Sequence, residues 1–146
     1  MIGEERMERV KAARKWMEMA RSVLLKAKAA AGRDGVFYED LCFDLYQAAE
    51  RALIAYLFYL QQGLPPVRGL EVMLTHMSLR GIAVPEWMRD LVKLDRYASV
   101  PKWPWFQRPV SKTDYWEALD LAERILEWVE EAFESEEMVQ KCHNGR

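Results

Sequence analysis

Leu41-Cys42-Phe43-Asp44-Leu45-Tyr46-Gln47-Ala48-Ala49-Glu50-Arg51-Ala52-Leu53 is the stretch on which the fold turns. Read at 3.6 residues per turn, its apolar side chains cover most of a helix's circumference, and such a helix belongs in the middle of a small domain. Gln47, Glu50 and Arg51 interrupt that coat at i, i+3 and i+4, a spacing that gathers them on one face. Polar groups taken out of water need partners or a task. In one reading the three form a structural network in which Arg51 pairs with an acid across the core. In the other, Arg51 meets a phosphate in a cleft and Gln47 reads a base, while Glu50 stays structural, since a carboxylate repels phosphate.

Outward from this helix the apolar period stays helical. Val10, Ala13, Met17, Ala20, Leu24, Ala27 and Ala31 form a seam of mostly small residues on a long first helix that Gly32 stops. The central helix is predicted from about Val36 to Gln62, with Gly63 ending it before Leu64-Pro65-Pro66. A third, shorter helix is predicted from Val67 to Arg80, with Leu70, Met73, Leu74 and Met77 inward and Gly81 after it. Pro85 opens a fourth, Glu86 to about Tyr97, with Trp87, Leu91 and Leu94 inward. Residues 98–112 hold Pro101, Pro104 and Pro109 among Trp103, Trp105 and Phe106, and are expected to be an irregular connection. Ser111 and Thr113 are candidate caps for a last helix with Tyr115, Leu119, Ala122, Leu126, Val129 and Phe133 as its seam. No strand period occurs. The fold class is therefore all-α, an up-and-down bundle of about five helices, with residues 1–135 as one domain and 136–146 as a polar, frayed tail.

Composition excludes several classes of function. The 146 residues carry a net charge of −2, which argues neither for nor against a polyanionic partner. Residues 1–33 hold nine Lys or Arg against four Glu, whereas 114–137 hold ten acids against Arg124 alone. Two helices of opposite charge lying side by side explain this; a basic helix placed for phosphates is the alternative. Cys42 and Cys142 form neither a disulfide framework nor a zinc spacing. No Gly-rich phosphate loop and no Glu-x-x-His metal pair occurs, so neither cofactor nor metal is expected. The longest apolar run, Ala52 to Leu60, is about half of what a membrane span needs, and the first 25 residues do not form a signal peptide. A cytoplasmic protein with no membrane association is expected.

The order of these pieces, with three short motifs, resembles the HEPN domain family (higher eukaryotes and prokaryotes nucleotide-binding) over roughly residues 10–133. Gln47-Ala48-Ala49-Glu50-Arg51 is similar to the family's Gln-Ala-x-Glu-Lys. Thr75-His76-Met77-Ser78-Leu79 is similar to its Thr-His-x-Leu with one residue inserted. Tyr97 followed by Lys102-Trp103-Pro104 is similar to its tyrosine followed by Arg-Tyr-Pro. The resemblance implies a helical bundle, usually a homodimer, linked with nucleotides or RNA. It often acts beside a separately encoded minimal nucleotidyltransferase in a toxin–antitoxin-like pair. Ligand-binding candidates are then Gln47, Arg51, Tyr97, Lys102 and Trp103. A ribonuclease subset of the family uses an arginine followed four to six residues later by a histidine. Here neither His76 nor His143 follows an arginine at that spacing. The expectation is a binding protein rather than an enzyme, with His76, one turn before Arg80, as the weak catalytic candidate. A divergent metal-independent ribonuclease and a purely structural dimerisation module are the alternatives. Trp103, Trp105 and Phe106 between Lys102 and Arg108 would either stack a base or cover the open end of the bundle.

Overall fold

A computed structural model describes residues 2–102 and 109–144, with side chains over 3–98 and 109–136. Helix α1 spans Ile2–Ala30, α2 Tyr38–Tyr59, α3 Leu70–Leu79 and α4 Lys112–Asn144. Between α3 and α4 lies a run of 3-10 turns, Glu86–Lys102. No strand occurs among the described residues.

Helix α2 is central, as its apolar circumference requires. It packs against α1, α4, the 3-10 helix and α3. Ala48, Ala49, Ala52 and Ala55 of α2 are fully buried, as are Ala13, Ala20 and Ala27 of α1. Two faces of small residues let the helix axes come close and leave few voids. Leu45, Leu53 and Leu57 fill the centre, where cutting one to alanine would cost about 2–5 kcal/mol. The α4 seam expected from Tyr115 to Phe133 is buried throughout. Aromatic pairs join the two helices: Tyr59 stacks on Phe133 at 4.4 Å between centroids, and Tyr56 meets Trp128 edge-on at 4.8 Å. The opposite charges of α1 and α4 do lie side by side, with Arg21 on Glu130 at 2.5 Å and Lys28 on Glu123 at 3.1 Å.

Several boundaries differ from expectation. Helix α2 stops at Tyr59, before Gly63, because Gln61 adopts a left-handed conformation, φ 62°. Its neighbours then close a Schellman motif, with the Gln62 amide on the Leu57 carbonyl and the Gln61 amide on that of Phe58. Gly81, φ 73°, ends α3 in the same way, through the Ile82 amide on Met77 and its own on Ser78. Helix α3 begins at Leu70 rather than Val67. Its first amides are capped from outside: Asp95 accepts from the Leu70 amide at 2.7 Å and from the Glu71 amide at 2.9 Å. The fourth helix is of the 3-10 type and runs to Lys102, into the stretch expected to be irregular. Ser111 caps α4, exchanging bonds with Asp114 in a capping box. The α4 backbone continues to Asn144, past the expected fraying point, through good helix formers such as Glu136, Glu137, Met138 and Gln140.

Candidate functional site

The polar cluster of α2 divides into two neighbourhoods. Glu50 is 1% exposed, so its carboxylate has lost its water. Tyr46, one turn earlier, donates its hydroxyl to Oε2 at 2.9 Å, and Arg68 donates to Oε1. The acid's cationic partner is therefore Arg68 and not Arg51. Arg68 reaches in from the α2–α3 loop with its own side chain 76% exposed. The bond to Glu50, helped by that charge, raises the Arg68 pKa. Burial, and next the bond to Glu50, push the Tyr46 phenol up. A buried carboxylate is tolerated only when its lone pairs are taken and its charge is answered. Here two residues meet both demands. Ile54, Leu64, Pro65, Val67 and Met73 surround the pair as a small apolar cleft of about 50 Å³.

Arg51 turns the other way, toward α1. It is half-buried, and its Nη1 donates to the Met19 carbonyl at a long 3.5 Å. Gln47, one turn earlier and also half-buried, has no side-chain partner among the described residues. Asp44 extends the same stripe and pairs with Lys26 at 3.2 Å. Burial raises the Asp44 pKa against the pull of Lys26 and Arg51. The α1–α2 seam thus carries Asp44, Gln47 and Arg51 at i, i+3 and i+7, with hydrogen-bonding capacity left over on Gln47 and Arg51.

The remaining candidates are held in different places. His76 is half-buried on α3, and its Nε2 lies 2.6 Å from the Gly63 carbonyl, to which it donates. Arg80 donates to the Gln62 Oε1 at 3.2 Å. Both side chains tie α3 to the end of α2, directly beside the strained Gln61. Tyr97 is 4% exposed and lies in the core. Its phenol donates to the Cys42 thiol, and the Arg96 guanidinium stands 4.9 Å over its ring. Burial pushes that thiol up to about 12 in spite of the phenol. Lys102 ends the 3-10 helix, but its side chain lies outside the described residues, as do Trp103, Trp105, Phe106 and Arg108. No group of His, Cys, Asp and Glu suited to a metal occurs among the described residues. No helix there is long and apolar enough to cross a membrane.

Two contributors escaped the sequence reading. Arg68 sits in a loop after two prolines, and Asp95 lies on the solvent side of the expected fourth helix. Neither carries a local signal, because each acts on residues far along the chain.

A model of the HEPN domain matches residues 13–132. The match takes in α2, α3, the 3-10 helix, the greater part of α1 and α4, and the Glu50 and Arg51 neighbourhoods, and the chain belongs to the HEPN domain family. At the level of the family this associates it with nucleotide- and RNA-linked function. No curated protein and no solved structure matches the chain.

Proposed function

We propose that this HEPN domain is a cytoplasmic nucleotide- or nucleic-acid-associated binding protein rather than a self-sufficient enzyme. It acts as a homodimer with a separately encoded partner, such as a minimal nucleotidyltransferase, in a toxin–antitoxin-like pair. The observation that carries the binding half is the family match over residues 13–132, with Gln47 and Arg51 half-buried at one seam and under-used as donors. Tyr97, buried against Cys42, acts as a positioning residue that anchors the 3-10 helix to α2. The non-catalytic half is supported by His76, whose Nε2 is engaged by the Gly63 carbonyl. A ribonuclease base needs a ring nitrogen facing the 2′-hydroxyl and cations around the phosphorus.

The wide apolar face of α2 is covered within one chain. Among the described residues, the large apolar side chains left exposed are Leu64, Val67, Val72 and Leu79 around α3, Met7 and Leu25 on α1, Val36 and Phe37 just before α2, and Trp116 on α4. Sedimentation at micromolar concentration should give a dimer; a monomer throughout would reject that part. Calorimetric titration with ATP, GTP and short RNA tests the binding part, with micromolar to millimolar affinity expected from roughly 1.5–3 kcal/mol per charge-assisted bond, less ordering costs. Single-stranded RNA should survive incubation in a chelator. Cleavage abolished by His76→Ala would replace this reading with the ribonuclease.

A further inference from the structure

A second cleft, separate from the Glu50 and Arg51 neighbourhoods, opens between the C-terminal turn of α2 and the outer half of α4. It measures about 250 Å³ and is lined by Tyr56, Tyr59, Leu60, Ala132, Ser135 and Glu136. The two tyrosines are held in place: Tyr59 stacks on Phe133, and Tyr56 is set against the edge of Trp128. Their positions follow from the helix, since residues three apart share a face. Glu136 is exposed, and among the described residues no cationic side chain lines the cleft.

We infer that this cleft binds a small organic cation, an alkylammonium or quaternary ammonium ion. Aromatic faces attract such ions through the ring quadrupole, and the attraction strengthens where water is partly excluded. Glu136 supplies the countercharge at the rim, Ser135 a hydroxyl, and Leu60 and Ala132 an apolar wall for the ligand's carbon skeleton. Burial comes first in raising both phenols, and Glu136 is the leading charge acting on each. Its carboxylate is therefore within electrostatic reach of both rings. Arg6, Arg14 and Arg9 also act on Tyr59, each more weakly than Glu136. Arg9 is occupied in donating its Nε to the Tyr59 carbonyl at 3.1 Å. The size of the cleft points the same way. It falls below the roughly 300 Å³ at which pockets begin to hold drug-sized ligands, which suits a head group of a few heavy atoms and not a whole nucleotide. The Glu136 carboxylate in the lining would also repel phosphate. This site is independent of the nucleotide reading and stands or falls separately.

The test uses the full chain and three probes of similar bulk: choline, n-butylammonium and the neutral choline isostere 3,3-dimethylbutan-1-ol. Titration followed by ligand NMR or calorimetry should give saturable binding of at least one cation at roughly millimolar concentration. Whichever cation binds tighter identifies the head group. The neutral alcohol should bind about tenfold more weakly. Glu136→Gln, an exposed and structurally mild change, should weaken the cation about three- to tenfold. Tyr56→Phe should retain binding, because the ring is kept, and Tyr56→Leu should weaken it about threefold or more. If Tyr56→Leu fails to fold, Glu136→Gln and the neutral isostere still decide the matter. Equal binding of the alcohol and the cations, or no saturable binding of either cation, would overturn the inference.

Discussion

The two sides of α2 are held by different means. Toward α1 and α4 it is gripped by long apolar seams, to which the half-buried Lys26–Asp44 pair and the bonds from Arg51 to Met19 and Arg9 to Tyr59 are additions at the edge. Toward α3 and the 3-10 helix the contact is smaller and relies on a few directed bonds. These are Arg68 to Glu50, Asp95 to the first amides of α3, His76 to Gly63, Arg80 to Gln62, and Tyr97 to Cys42. Seams spread their energy over many contacts, so single changes are felt weakly outside the core. Directed bonds concentrate it, so one side chain can open a whole element. The α3 side is thus where the domain should loosen first. It is also where the chain carries its strained residue, Gln61.

The largest effect should come from Arg68→Ala, which leaves the Glu50 carboxylate buried without a countercharge. Loss of about 2–4 kcal/mol in urea unfolding is expected, below the figure for a wholly enclosed pair because Arg68 is largely in water. Adding Glu50→Gln should return much of it. If Arg68→Ala costs no more than an ordinary surface change, the contrast between the two sides collapses.

Alkaline pH probes the Cys42–Tyr97 contact. The unfolded thiol ionises around its ordinary value of 9.0, while the folded thiol stays protonated to about 12. The unfolded state therefore loses its proton first, and stability should fall as pH rises through that window, by up to about 1.4 kcal/mol per pH unit from this group. Cys42→Ala should lessen the slope there, and Cys42 of the native protein at pH 8 should resist alkylation until the chain unfolds, read by peptide mapping that separates it from Cys142.

Asp95→Ala removes the external cap of α3 and should cost about 1–2 kcal/mol. Amide exchange in α3 should speed up while α1 and α4 stay protected; uniform acceleration would mean that the two sides open together. Gln61→Gly should run the opposite way, stabilising by about 1 kcal/mol through relief of the left-handed conformation. Smallest of all, Arg21→Ala on the seam side should change stability by no more than about 0.5 kcal/mol, since its pair with Glu130 is exposed. A larger loss would show that surface charge, and not the apolar seam, joins α1 to α4.

Much of the architecture was legible in the sequence because apolar periodicity is a local property. The α1 seam, the largely apolar α2, the inward faces of α3 and α4 and the Ser111 cap could all be read from neighbours within a turn or two. The family could be read as well, through Gln47 to Arg51 and the order of the motifs around it. Helix type was less legible. Trp87, Leu91 and Leu94 suit either a 3.6-residue or a 3-residue turn over so short a run, and the 3-10 form is the one adopted.

Partner choice was decided only in three dimensions. Spacing put Glu50 and Arg51 on one stripe and suggested that they share a network. Adjacent residues on a helix point about 100° apart, and that angle is enough for α1 to claim Arg51 while the α2–α3 loop claims Glu50 through Arg68. The same holds for the tyrosine–glutamate cleft, whose two walls come from residues some 75 positions apart in the chain. Sequence determined which residues each helix would bury. Only the packing of those helices decided which charge would answer which, because a buried charge takes the nearest partner in space, and distance along the chain carries no information about it.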